Sequence, residues 1–301
     1  MADFEGIIPA HITPWDADGR LNEAAFREVL EHNIQAGVNG FWVAGGTGES
    51  VLLDDEENIR IAEIAADQNR GRVKNIMHVG ASTTLRAAKL AENAARVGVE
   101  AICCVPPFFY RQNDDAIVAH YRAVGAAADL PLFVYNLPGS TGVEITPDMM
   151  KKIQDGVPQL KGLKHSAPSF GNIRDFADMG LDSLIGSSAL MLPGLTIGAS
   201  GCVDGPPNAA PELWVEIWNA YKAGDIPRAE AAQKHATDLV MLIRGFGMQA
   251  AVKALLSERL GIDCGDPRLP SPPLSREARA DLLRRADALG VGRVAVAQSD
   301  D

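Results

Sequence analysis

Short apolar runs alternate along this chain with stretches of helical periodicity. GIIPAHI precedes NEAAFREVLEHNIQAG, VNGFWVAG precedes DDEENIRIAEIAADQN, VKNIMHVG precedes TLRAAKLAENAARVG, and VEAICCVP precedes DDAIVAHYRAVGAAA. LPLFVYN then precedes TPDMMKKIQDG, LKGLK precedes FGNIRDFADMG, DSLIG precedes SALMLPGLTIG, and ASGCVDG precedes APELWVEIWNAYKAG. The short runs are apolar almost without interruption, as strands are when both faces of a parallel sheet are covered. Gly37, Gly98, Gly156 and Gly180 follow helical stretches, the usual place for a glycine that stops a helix. Eight such units in about 220 residues predict an α/β fold, a (β/α)8 TIM barrel over residues 1–222 that carries the active site. A doubly wound open sheet is the structural alternative. Residues 223–301 predict three more helices around the joint DPRLPSPPLS, a C-terminal helical extension packed on the barrel.

Composition narrows the class. A chain of 301 residues, 47% hydrophobic and 22% charged, can bury a sizeable core. No apolar run approaches the roughly 20 residues of a membrane span, and MADFEGIIPAHITPW does not read as a signal peptide. A formal net charge of −11 argues against nucleic acid as a partner. Cys103, Cys104, Cys202 and Cys264 form no C-x-x-C pair and read as buried thiols of a reducing compartment, hence a cytoplasmic location.

The candidate chemistry starts from PQLKGLKHSAPSF, an apolar run that ends in Lys164. In such barrels the site lies at the C-terminal strand ends. Those ends read Thr13, Gly45 to Ser50, Pro107 to Tyr110, Tyr135 with Asn136, Lys164, Gly186 with Ser187, and Val203 to Gly205. A lysine there can attack a ketone to form an imine, an electron sink. It must be neutral to attack, and burial disfavours the ammonium form. A tyrosine hydroxyl on the neighbouring strand, Tyr135, can relay the protons. A lysine that snorkels to water beside a core tyrosine is the competing reading.

AGGTGES adds a second feature. A glycine-rich turn after a strand exposes backbone N–H groups, which suits an anion such as a carboxylate, and Thr47 adds a hydroxyl. A purely structural turn is the alternative. No Gly-Lys-Ser/Thr follows, and Val51 occupies the third glycine position of a dinucleotide fingerprint. The six histidines show no ligand spacing, DADG at Asp16 to Gly19 has Arg27 at its twelfth position, and GASGC ends in Cys202 where a nucleophile elbow has glycine. Neither a metal nor a cofactor is expected. Asp182 and Asp204 read as loop residues, with polar substrate contacts as the alternative.

HITPWDADGRLNEAAF, GGTGES, PPFFY, YNLPGSTG and GLKHS occur in this order. The set resembles the dihydrodipicolinate synthase / N-acetylneuraminate lyase family of Schiff-base-forming barrels, from about Gly6 to Asn208 and extending into the helical tail. The resemblance implies a pyruvate-type 2-oxo acid joined to Lys164, its carboxylate held by Thr47 and the amides near Gly46 and Gly48, and Tyr135 in proton transfer. It also implies a homo-oligomer, a dimer or tetramer, with Phe109 and Tyr110 near a neighbouring subunit's site. Departures from the family pattern carry information. Gly46 replaces a hydroxyl residue, a form that looks like the sugar-acid dehydratases. Ser140 stands where the lysine-pathway synthase has an arginine, Phe109 takes the place of its tyrosine with Tyr110 adjacent, and GLDSL offers Asp182 alone where sialic acid lyases have an Asp-Glu pair. The expected activity is therefore aldol cleavage or dehydration of a 2-oxo-3-deoxy sugar acid. Ser166 is expected to meet a substrate hydroxyl, and Ser140, Phe109, Tyr110 and Val203 to border the substrate. The alternatives are dihydrodipicolinate synthase itself and a non-catalytic 2-oxo acid-binding barrel.

Overall fold

The computed structural model describes residues 3–293, so residues 294–301 of the expected extension lie outside the described residues. Eight strands form one parallel sheet: β1 (Gly6–Ile7), β2 (Gly40–Val43), β3 (Lys74–His78), β4 (Ala101–Cys104), β5 (Leu132–Asn136), β6 (Leu160–His165), β7 (Asp182–Ile185) and β8 (Gly201–Cys202). Each pairs with its sequence neighbour from β2 through β8, and β8 pairs with β1. The last seam runs just past β1, where Trp42 donates to the Pro9 carbonyl and His11 donates to the Trp42 carbonyl. GIIPAHI is thus a strand of two ladder residues followed by a single bridge, because Pro9 has no N–H to continue the ladder. The TIM barrel expected from the alternation is the fold.

Twelve helices follow the chain: α1 (Glu23–Ala36), α2 (Asp55–Asn69), α3 (Thr84–Val97), α4 (Asp114–Ala128), the single-turn α5 (Pro138–Thr141), α6 (Pro147–Gly156), α7 (Asn172–Asp178), α8 (Met191–Thr196), α9 (Pro211–Lys222), α10 (Ile226–Phe246), α11 (Met248–Leu260) and α12 (Arg276–Ala288). Asn22, Asp54, Thr83, Asn113 and Thr146 cap helices by accepting an N–H of the first turn. Gly37 and Gly98 end their helices left-handed, and Gly180 follows α7 with φ 79°. Gly156 differs from expectation: it is the last residue of α6, and a Cβ there would lie 2.6 Å from Val118 on α4. Its small size serves helix packing rather than a left-handed stop.

The sheet separates two apolar layers. Leu132 and Val134 face the helices, while Phe133 and Tyr135 face the barrel interior with Trp42, Ile76, Ala101, Cys103, Leu184 and Val203. This period of two decides where the lysine points. On β6, Leu163 packs outward, so Lys164 turns inward, in register with Tyr135. No single helix among the described residues is long and apolar enough to cross a membrane.

Candidate active site

Lys164 is 4% exposed, and its Nζ donates to Tyr135 Oη at 3.3 Å. The amine also lies 4.4 Å from the Tyr135 ring centroid and 5.4 Å from that of Trp42. No carboxylate pairs with it among the described residues. It therefore does not snorkel; it is held among aromatic walls beside a phenol. Trp42 and His78 meet the Tyr135 ring edge-on, at 5.5 and 6.0 Å. Burial, and then the nearby Lys164 charge, pushes His78 down to about 4, so its ring is neutral near pH 7.

The loop after β2 forms the next wall. Glu49 and Ser50 N–H groups donate back to the carbonyls of Gly46 and Gly45. Among the described residues, those of Gly46, Thr47 and Gly48 donate to no protein acceptor, which leaves three donors at the turn. Thr13 Oγ1 donates to the Gly48 carbonyl at 2.8 Å and pins the loop from below. A Cβ at Gly46 would reach Tyr135 Oη at 3.4 Å, so glycine here leaves open space above the phenol.

Glu49 anchors this loop to the helical extension. Its Oε1 accepts from Lys253 at 2.6 Å, and its Oε2 accepts from the Arg268 N–H at 2.7 Å and from Trp15 Nε1 at 3.3 Å. Both side chains of the ion pair are 1% exposed. Burial pulls the Lys253 amine down, and the Glu49 carboxylate opposes it. Glu49 itself has φ 64°, a left-handed conformation uncommon for a residue with a side chain, which this set of partners holds.

These walls enclose a cavity of about 500 Å³. Of the residues singled out from the sequence, Gly46, Thr47, Tyr135, Ser140, Lys164 and Ser166 line it together. Gly48, in the same turn, does not line the cavity. Val203 is fully buried in the barrel interior, facing Tyr135 and Trp42 rather than the cavity. Phe109 and Tyr110 stand out to solvent, 85% and 71% exposed, their rings edge-on at 5.0 Å. Asp182 and Asp204 part company. Asp182 is no loop residue: it opens β7 at the opposite end of the barrel, accepts from the Phe4 N–H and faces Lys161. Asp204 lines the cavity, its Oδ2 accepting from Ser188 N–H and Oγ and its Oδ1 from Gly205 N–H. The walls that sequence patterning did not indicate come from Met248 and Gln249 at the start of α11 and from Leu190. Leu190 follows β7 within the barrel, whereas the approach of Met248 and Gln249 depends on how the extension docks, for which no local motif exists.

A parallel barrel with an unpaired, buried amine near the C-terminal end of β6, a phenol in contact with it and unpaired amides in a turn lining the same cavity defines a class of lyase that works through a lysine Schiff base. Residues 3–289 match the family model described as "Dihydrodipicolinate synthetase family", and the chain belongs to that family of metal-independent class I lyases. An uncharacterized DapA-like lyase of Halobacterium salinarum is 36% identical, over 96% of this chain and 94% of its own. An N-acetylneuraminate lyase of Clostridium perfringens is 31% identical over 94% of this chain and 97% of its own. A crystal structure of dihydrodipicolinate synthase from Aquifex aeolicus superposes with a TM-score of 0.90 at 28% identity, over 96% of this chain and 99% of that one.

Proposed function

We propose that Lys164 forms an imine with the keto carbon of a pyruvate-type 2-oxo acid, and that the enzyme cleaves or dehydrates a 2-oxo-3-deoxy sugar acid. The observation that carries this reading is the 3.3 Å approach of the buried Lys164 amine to Tyr135 Oη at one end of the cavity. The amine adds to C2. Tyr135 relays a proton to the carbinolamine oxygen, which leaves as water. The iminium then accepts the electron pair released at C3, either as the C3–C4 bond breaks and the C4 hydroxyl loses its proton, or as C3 loses a proton and the C4 hydroxyl departs as water. In the cleavage branch the resulting enamine takes up a proton at C3 to restore the imine; in either branch water then hydrolyses the imine and frees the lysine. The substrate carboxylate lies against Thr47 and the amides of the Gly46–Gly48 turn, and Ser166 and Ser140 meet sugar hydroxyls. Chemistry resides in residues 1–222, with 223–301 as the extension, whose Arg244, Met248 and Gln249 form one wall of the cavity.

At the Ser140 position one neutral hydroxyl is a poor partner for the carboxylate of aspartate semialdehyde, so a synthase would have to hold that group with Arg244, the other cation besides Lys164 on the cavity. The working form is a cytoplasmic dimer or tetramer. The exposed Phe109–Tyr110 pair supports the assembly, and the four buried thiols without a disulfide support the compartment. Sedimentation of the purified chain tests the assembly; a monomer at micromolar concentration would remove it.

Borohydride trapping with a panel of 2-oxo acids, followed by mass mapping, tests the imine. The label is expected on Lys164, and Lys164→Ala should abolish both label and turnover with the fold intact. Labelling on Lys161 or Lys253 would overturn the assignment. Steady-state turnover separates an enzyme from a non-catalytic binder. A kcat/KM for aspartate semialdehyde plus pyruvate above that for any 2-oxo-3-deoxy acid would establish the synthase.

A further inference from the structure

Two cations border the cavity: Lys164 and, from the last turn of α10, Arg244. Arg244 is exposed toward solvent, and its Nη2 donates to Ser187 Oγ at 3.3 Å. Among the described residues no carboxylate lies within ion-pair distance of it, although the chain has a net charge of −11. The acid on the same cavity, Asp204, has both oxygens engaged by Ser188 and Gly205.

A continuous wall connects the two cations. Ser166 follows Lys164 by two residues and presses on Gly186, where an added Cβ would sit 1.9 Å from Ser166 Oγ. Ser187 comes next and accepts from Arg244. A chain bound at Lys164 and extended along the Ser166 and Ser187 hydroxyls ends at the guanidinium. A cavity of about 500 Å³ has room for such a chain beyond a pyruvate unit.

Building on the imine reading, we propose that Arg244 receives a terminal carboxylate, and that the substrate is a dicarboxylic 2-oxo-3-deoxy acid rather than one ending in a hydroxymethyl group. The planar fork of an arginine matches a carboxylate with two parallel hydrogen bonds. A terminal phosphate would bring a second negative charge toward Asp204, which disfavours it.

The test compares six-carbon 2-oxo-3-deoxy acids that differ only at C6: carboxylate, hydroxymethyl or phosphate ester. The wild-type kcat/KM is expected to favour the carboxylate by roughly ten-fold or more. Arg244→Gln should lower it for that acid by roughly ten- to a hundred-fold, mainly through KM, and bring the carboxylate-to-hydroxymethyl ratio toward one. Arg244→Lys, which keeps the charge but not the fork, should restore part of the ratio. A wild-type preference for the hydroxymethyl or phosphate acid, or an equal loss on all three in Arg244→Gln, overturns the proposal. Borohydride labelling of the wild type with pyruvate runs alongside. Failure to label Lys164 removes the imine reading and this proposal with it; labelling without a C6 preference removes the Arg244 assignment alone.

Discussion

At the scale of single residues, the site depends on one buried amine kept close to one phenol. Lysine is among the residues least often buried without a charged partner, and Lys164 has none among the described residues. Its neighbours are aromatic faces and the Tyr135 hydroxyl. The phenol ring is packed by Trp42 and His78, so removing only its oxygen should leave the packing in place. Tyr135→Phe is therefore expected to fold normally and lose roughly 10²- to 10⁴-fold in kcat, the range for a proton-transfer group. Stopped-flow imine formation and steady-state kcat measure it. A variant within a factor of three of wild type would assign the relay elsewhere.

At the scale of elements, the turn after β2 is held by a helix more than two hundred residues further on. Lys253 of α11 and Glu49 make a buried ion pair at 2.6 Å, closed by Trp15 and the Arg268 backbone. Removing one partner leaves an uncompensated buried charge, which typically costs about 3–5 kcal/mol. Glu49→Gln and Lys253→Met should each lower the melting temperature by roughly 5–15 °C. The double variant should lose less than the sum of the two, since neither charge is then stranded. Additive losses would mean that the pair is not coupled. Because the same turn presents the Gly46 to Gly48 amides, the single variants should also raise KM for pyruvate-type acids.

Across the whole molecule, buried imidazoles set the acid limit of stability. Burial pushes His11, His78 and His120 down to about 4. The unfolded chain takes up a proton on each near pH 6.5, whereas the folded chain resists until about pH 4. Stability is then level with respect to these groups above pH 6.5 and falls as the pH drops from 6.5 toward 4, by on the order of 3 kcal/mol per imidazole at the end of that window. Urea unfolding at pH 7, 6 and 5 reads the slope; a constant midpoint would show that the rings are hydrated. As a member of a metal-independent class, the enzyme should keep its rate after exhaustive chelation. A loss with EDTA that a divalent cation restores would move the chemistry to a metal-assisted route.

How much of this was legible beforehand varies from residue to residue. The apolar runs and helical periods carried the barrel, because burial of both sheet faces leaves a direct trace in composition. The order of those runs put Lys164, Tyr135 and the Gly46–Thr47 turn at one end of the barrel, and they do share a cavity. Gly156 and Asp182 were misread because their roles are spatial: one lets α4 approach, and the other packs at the far end of the barrel against Lys161. Glu49, inside the quoted turn, gave no local sign of its partner, since the contact with Lys253 spans 204 positions. Gln249 and Met248 became cavity walls through the docking of the extension, and Arg244 did so by reaching Ser187. The sequence by itself determined the repeating units, the chemistry-bearing residue types and their chain order, since these follow from local periodicity and side-chain identity. Only the tertiary structure decided that the lysine faces inward without a counter-ion and which residues of the extension complete its pocket, because strand register and long-range docking set those distances.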